Sequence, residues 1–407
     1  MKTKCHYRLA AAFVACLCIA NAGAEPSDLE RQARQIARDN LLIDTHLDVP
    51  YRMQGGWVDV TQAAEDGDFD YPRAKAGGLN LPFMAIYTPA RMEKDDGDAS
   101  EAFELANHLI DSVEAMAARA PDRMMLVTST RDVDKAMQTG RMGLAMGMEN
   151  GSPLNHELEN VSYFAKRGIS YITLSHGESN HICDSSYDEH RQWNGLSPFG
   201  KEVVKEMNRV GVMIDVSHVT DETFYQVLEI SQVPVIASHS SPRHFTREWE
   251  RNMSDEMIRA LAQNGGVIQL NIGSTFISQE ARDWSDTMDE KRTAYLEEKG
   301  APPHGEEASK FSKEYRDQNP FPYATLDDVL ATFEYVIKLV GVEHVGIGTD
   351  FDGLGDSLPV GLKDVSDYPV LIAGFLERGY SEDDIRAIMG GNLMRVWREV
   401  EAFARKS

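Results

Sequence analysis

Cysteine is nearly absent from this 407-residue chain. Of its four cysteines, Cys5, Cys16 and Cys18 fall within the first 24 residues, so only Cys183 remains beyond them. An internal disulfide is thereby excluded from residues 25–407. Basic charge is also scarce. Lys and Arg number 41 against 65 Asp and Glu, for a net charge of −24 at pH 7. Such a surface repels phosphate backbones and anionic lipid, which argues against nucleic acid or a lipid surface as partner. No apolar run is long enough to cross a bilayer; the longest, Leu9–Ala20, has 12 residues. Internal repeats, low-complexity tracts and Gly/Ser linkers are missing as well.

The one apolar run has a telling context. Lys2, Lys4 and Arg8 precede or open it, and Ala22-Gly23-Ala24 follows it. A short basic start, a short apolar stretch and a small-x-small site describe a secretory signal peptide over residues 1–24. The expected location is therefore secreted or periplasmic. Removal of three basic residues and no acids leaves a net charge of −27. The remaining 25–407 is expected to form one domain, since an α/β barrel with insertions reaches this length.

Short β-type runs recur along the chain: 41–46, 79–87, 143–149, 171–176, 212–218, 234–239, 266–272 and 345–350. Continuous apolar strands separated by helical stretches indicate a parallel sheet buried on both faces. Eight of them predict a (β/α)8 TIM-type barrel. Among the helices, 325–340 carries Leu326, Val329, Leu330, Phe333, Val336, Ile337 and Val340 at helical spacing. Thr325 and Asp328 can form its capping box, and Gly341 ends it. Further helices are expected at 28–38 and 381–404. Residues 276–324 are polar and charged. They read as an inserted loop with helical pieces between the seventh and eighth strands, placed to act as a lid.

Metal-type residues concentrate at the ends of these runs. His46 and Asp48 close the first, Glu149 the third, His176 the fourth, His218 the fifth, His239 the sixth and Asp350 the eighth. In this barrel the C-terminal rim holds the active site, so residues scattered over 300 positions would converge. Singly, each has a dull explanation as a hydrogen-bonded strand end or a helix cap. Together they would be poorly solvated without cations among them. Mixed imidazole and carboxylate ligands suit zinc or another first-row dication. Five ligands fit two ions sharing a bridge. His46 and Asp48 would grip one, His218 and His239 the other, and Glu149, with two oxygens, would span both. Two such ions can share a water and lower its pKa toward neutrality, giving a hydroxide nucleophile.

These residues lie in segments that resemble the membrane (renal) dipeptidase family along essentially the whole of 25–407. The segments are IDTHLDVP at 43–50, GMENG at 147–151, TLSH at 173–176, GLSPFGKEVVKEMNRVGVMIDVSH at 195–218, PVIASHSSPR at 234–243, ERNMSD at 250–255 and GIGTDFDG at 346–353. The resemblance implies a zinc-dependent enzyme that hydrolyses the peptide bond of dipeptides, with a C-terminal residue of L or D configuration. It implies two Zn2+ per chain held by His46, Asp48, Glu149, His218 and His239. It also implies that His176 contacts the tetrahedral intermediate, that Arg251 binds the substrate carboxylate, and that Asp350 serves as acid and base. A homodimer follows from the same resemblance. The chain departs from animal members at Leu47, at HICDSSYDEHRQW over 181–193 and in the longer 276–324 insertion. These differences bear on the substrate side chain rather than the metals. Two alternatives stay open: another two-metal barrel hydrolase acting on N-acyl amino acids or lactones, and a binding protein without turnover.

Overall fold

The computed structural model describes residues 27–94 and 97–406. The signal peptide expected at 1–24 lies outside them. Among the described residues nine strands form: β1 Ile43–Leu47, β2 Leu81–Tyr87, β3 Met124–Leu126, β4 Met142–Glu149, β5 Ile169–Thr173, β6 Met213–Asp215, β7 Ile236–Ser240, β8 Val267–Leu270 and β9 Val345–Ile347. Eight of them run parallel in the order β1-β2-β4-β5-β6-β7-β8-β9, each beside its successor in that series. The two ends then meet. Leu47 bridges Phe351 in parallel, and the Asp48 N–H donates to the Phe351 carbonyl at 2.9 Å. The result is a nearly closed (β/α)8 barrel, as the recurring runs predict.

Alternation of side chains fills it from both sides. In β4, Leu144, Met146 and Met148 join the large cluster beneath the outer helices. Ala145 faces the other way, into a separate cluster with Phe83, Tyr171, Met213, Ile236 and Val267. That is the period-2 signature of a strand buried on both faces. Leu393, Val396, Trp397 and Val400 of the helix Asn392–Ala404 extend the same cluster. The Trp397 ring lies 5.5 Å from Phe83. Each such large side chain taken from water contributes about 1.5–3 kcal/mol.

The structure revises several expected boundaries. Strand β3 was not among the eight runs; it is three residues long and pairs only with the start of β4. The runs ending in His176, His218 and Asp350 overshoot their strands, which stop at Thr173, Asp215 and Ile347. His218 and Asp350 take left-handed φ values of 69° and 64°, which a strand cannot hold. The helix expected over 381–404 is broken at Ala387–Gly391. Gly390 there packs against Ile43, and a β-carbon would come 2.7 Å from its Cγ1. The helices Asp28–Asp39 and Leu326–Val340 form as read, the latter with the Thr325–Asp328 capping box.

The 276–324 insertion is far more helical than a loop. Helices Gln279–Lys299 and Glu306–Gln318 lie against each other, with Tyr295 beside Phe311 and Trp284 beside Tyr315. Of the insertion, only Phe276 lines the cavity at the barrel mouth.

Gly147 is required by a close approach. A β-carbon there would overlap the Tyr171 ring on the neighbouring strand. Overpacking of this kind costs about 1–3 kcal/mol. Gly147→Ala is expected to lower the thermal unfolding midpoint; an unchanged midpoint would show that Tyr171 can move aside.

Candidate metal centre

The sequence places its candidate ligands near the ends of six strands, and the barrel brings them together. His46 lies in β1, Glu149 ends β4 and His239 lies in β7. Asp48, His176, His218 and Asp350 follow β1, β5, β6 and β9 by one to three residues. Glu149 is at the middle. Its Oε2 is 3.4 Å from His46 Nε2. Its Oε1 is 3.2 Å from His218 Nε2, 3.3 Å from His239 Nε2 and 3.5 Å from His176 Nε2. Asp48 Oδ2 is 3.6 Å from His46 Nε2. Asp350 offers a ligand atom within 4.8 Å of those of His46 and Asp48.

Hydrogen bonds behind the imidazoles fix which nitrogen faces inward. The Tyr171 hydroxyl donates to the Thr45 carbonyl at 2.8 Å, so at 3.0 Å it accepts from His46 Nδ1–H. The Ser238 hydroxyl donates to Asp215 at 2.6 Å, so at 2.8 Å it accepts from His239 Nδ1–H. Arg251 Nη2 lies 3.1 Å from His218 Nε2, and a guanidinium can only donate. These assignments rest on the network. With Nδ1 committed, His46 and His239 turn Nε2 toward Glu149, and His218 Nε2 faces it as well while accepting from Arg251. The His46 Nε2 is buried without a hydrogen-bond partner, and His218 and His239 bring their Nε2 atoms within 2.8 Å of each other. Lone pairs so disposed fit a cation.

Electrostatics divide the imidazoles: burial alone would lower His46, but Tyr171, Glu149 and Asp48 beside it raise it well above ordinary histidine, so a cation would take the place of its proton. Burial alone would raise Glu149; the facing imidazoles outweigh it and hold its carboxyl well below the usual range. Burial lowers His218 and His239 well below ordinary histidine, with the Arg251 charge adding to it at both. The two imidazoles are therefore neutral and able to ligate. Burial, with Asp48 and Glu149 nearby, pushes Asp350 well above an ordinary carboxylate. Gly353 lies so close that a β-carbon would overlap both Asp48 and Asp350. Its lack of a side chain keeps this carboxylate pair accessible.

Above the centre is a cavity of about 450 Å³, lined by the candidate ligands other than His46 and by Tyr51, Tyr87, Tyr187, Phe276 and Leu354. That size suits a small-molecule site. Arg251 forms part of its wall. It is 2% exposed, and donates to the His239 carbonyl and the Ser240 hydroxyl, each at 2.8 Å. Its Nε has no partner.

Sequence reasoning did not single out Tyr171, Ser238 or Asn271, which hold the site from behind. Asn271 donates to Asp350 Oδ2 at 2.9 Å. It closes the seventh run, so its position at a strand end was the available signal. Asp44 and Asp215 could be read as partners of ligand imidazoles. Instead Asp44 accepts from the His46 backbone, Thr349 and Tyr368, and Asp215 reaches His239 through Ser238. Among the tryptophans, Trp249 packs on Phe276 at 4.9 Å, whereas Trp57 is exposed.

A parallel barrel with imidazoles and carboxylates gathered on its C-terminal rim defines a class, the metal-dependent barrel hydrolases. Comparison with known proteins narrows it. The chain belongs to the membrane dipeptidase family, peptidase family M19, whose profile matches residues 30–407. It is 30% identical to Dipeptidase 3 of Mus musculus over 388 residues, 93% of this chain and 68% of that one. It is 29% identical to an uncharacterized dipeptidase of Schizosaccharomyces pombe, over 93% of this chain and 85% of the relative. Among solved structures, the probable dipeptidase PvdM from Pseudomonas aeruginosa superposes with a TM-score of 0.78 at 27% identity, covering 92% of this chain and 99% of that one. The same fold occurs in a Rhodobacter sphaeroides metallopeptidase liganded with a phosphinate mimic of L-Ala-D-Ala, with a TM-score of 0.72 at 21% identity over 89% and 99%. The chain is thus a member of a metallo-dipeptidase family.

Groups that orient ligand imidazoles typically account for 10–100-fold in metal affinity. Tyr171→Phe and Ser238→Ala are each expected to weaken divalent-metal binding by about that factor, read by competition with a chromophoric chelator. Unaltered affinity in both would mean that the imidazoles are oriented by packing alone.

Proposed function

We propose that this protein is an exported two-zinc dipeptidase, and that the observation carrying this reading is the set of imidazole Nε2 atoms gathered around Glu149 with Arg251 at its edge. His46 and Asp48 would hold one zinc, His218 and His239 the other, and Glu149 would bridge them. Bound there, the two ions supply Lewis acidity toward the scissile carbonyl and lower the pKa of water to give a hydroxide nucleophile.

The protein's own residues do the rest. Arg251 pairs its unsatisfied edge with the free carboxylate of the substrate and so selects short peptides. Asp48, Asp350 and Asp352 line the cavity and favour a free ammonium group. That feature supports dipeptides over N-acyl amino acids and lactones, which carry no such cation. His176 stands 3.5 Å from Glu149 and is placed to donate to the developing oxyanion. Asp350, held by Asn271, takes the proton from the attacking water and passes it to the departing amine. The aromatic walls formed by Tyr51, Tyr87, Tyr187 and Phe276 suit an apolar side chain. A C-terminal residue of either L or D configuration, a homodimer, and a secreted or periplasmic location complete the proposal.

The deciding experiment is turnover of a library of L,L and L,D dipeptides, N-acyl amino acids and lactones, with metal content measured on the same preparation. Dipeptide hydrolysis that a chelator abolishes and zinc restores, with two zinc ions held around Glu149, is expected. Turnover confined to lactones or N-acyl substrates would reject the reading, as would no turnover of the zinc-loaded protein. Asp350→Asn should lower kcat by roughly 10²–10⁴ with little change in KM, the usual worth of a general acid–base. Arg251→Gln should act chiefly on KM, by about 10–100-fold, as expected for a lost charge-assisted pair of about 1.5–3 kcal/mol. An effect of both variants on KM alone would contradict these roles.

A further inference from the structure

A second group of metal-type side chains assembles on the same rim, in three other connections. Glu93 follows the turn Ala90–Met92 after β2, His156 follows the turn Ser152–Leu154 after β4, and His181 lies in the long connection after β5. Ligand atoms of the three lie within 4.8 Å of one another. His181 Nδ1 is 2.8 Å from Glu93 Oε2, and the His181 backbone N–H donates to Oε1 at 2.7 Å. The His156 and His181 rings are 4.2 Å apart, and the His156 backbone N–H donates to His181 Nε2 at 3.4 Å, so the nitrogen of His181 open to an ion is Nδ1, on the side of Glu93. His181 is buried and His156 exposed, and a cavity of about 520 Å³ opens beside them, with Glu178 and His190 in its wall.

Sequence spacing hides this group. His181 reads as one of a polar loop cluster with Cys183, Asp184, Asp188 and His190, and His156 as an isolated surface residue. The structure divides that cluster. Asp184 accepts from the backbone of Gln192, Trp193 and Gly195, Cys183 is fully buried, and His181 turns toward Glu93 and His156.

We propose that Glu93, His156 and His181 form a separate divalent-cation site that takes a borderline dication such as zinc. Two imidazoles and one carboxylate are a favourable set for it, and water from the cavity can fill the open position. A simple histidine–carboxylate pair would need only His181 and Glu93. The second imidazole is delivered at some cost, since Asn155 and His156 both hold left-handed φ values, 45° and 58°. The site also connects to the main centre. The Ser152 hydroxyl contacts Glu93 Oε2 at 2.8 Å and Asn150 Oδ1 at 3.0 Å, and Asn180 donates to that same Asn150 oxygen at 2.9 Å. Asn150 directly follows Glu149. An ion here fastens the connections after β2, β4 and β5, which carry Tyr87, Glu149 and His176 into the cavity.

The test uses chelator-stripped full-length protein refilled with zinc alone, with bound metal counted after equilibrium dialysis. The variants are His156→Asn and Glu93→Gln. Asparagine tolerates the left-handed backbone at 156 and is a poor zinc ligand. Each variant is expected to bind one zinc per chain fewer than the wild type while dipeptide turnover persists. The count is read as a difference, so it stands whatever number the main centre holds. An unchanged count in either variant overturns the proposal. Loss of the ion together with turnover assigns it to the main centre and overturns the proposal equally.

Discussion

Imidazole nitrogens gathered around one buried carboxylate are the constraint on which this structure turns. His46 and His239 turn Nε2 toward Glu149 because Nδ1 is already committed, and His218 Nε2 faces it while accepting from Arg251. A buried polar nitrogen without a partner, as His46 Nε2 is, costs about 1–3 kcal/mol. The Nε2 atoms of His218 and His239, 2.8 Å apart, add crowding of their own. The charges compound the cost. Asp48, Glu149 and Asp350 are all buried, and only Arg251 stands against them. Dications remove both penalties at once, which is why the same residues that make the empty arrangement costly make it a good ligand set.

The barrel meets this cost by making the arrangement hard to relax. Tyr171 packs in the barrel interior and extends its hydroxyl to His46, so one side chain ties core packing to ligand orientation. Gly147 makes room for that ring. Ser238 plays the equivalent part for His239, passing the hold of Asp215 across one hydroxyl. His218 and Asp350 sit in left-handed backbone, where side chains leave the strand path and turn into the mouth. Distortions of this sort persist only where surrounding structure over-determines them.

Much of this was legible in the sequence, and the boundary is physical. The recurrence of apolar runs predicted the barrel because a parallel strand buried on both faces has few other solutions. Each proposed ligand read as the end of such a run or, for Asp48, as the residue two beyond it, and all of them meet around Glu149 at one rim. Strand ends were less legible, since a run such as VMIDVSH stays strand-like in composition after backbone pairing has stopped at Asp215. The supporting groups Tyr171 and Ser238 were invisible for another reason. Inside an apolar run, a hydroxyl that orients a ligand and a hydroxyl that merely packs are the same letter. Glu93, His156 and His181 come from three connections with no common spacing, so only the fold could join them.

The separation of ligands from cavity walls follows from the same division. The ligands and their supports stand on strands or within three residues of them, locked by interior packing, and tolerate little displacement. The cavity walls come from elsewhere: Tyr187 from the 181–193 segment, Phe276 from the start of the insertion, Leu354 from the turn after Asp350. Phe276 is fixed by Trp249, and Trp249 lies beneath the Arg282 guanidinium at 4.5 Å, the contact that ties the helical insertion to the cavity wall. An insertion so attached can reshape the pocket without touching a metal ligand. The chemistry can therefore be retained by the barrel rim while substrate preference is set by segments that the rim does not constrain.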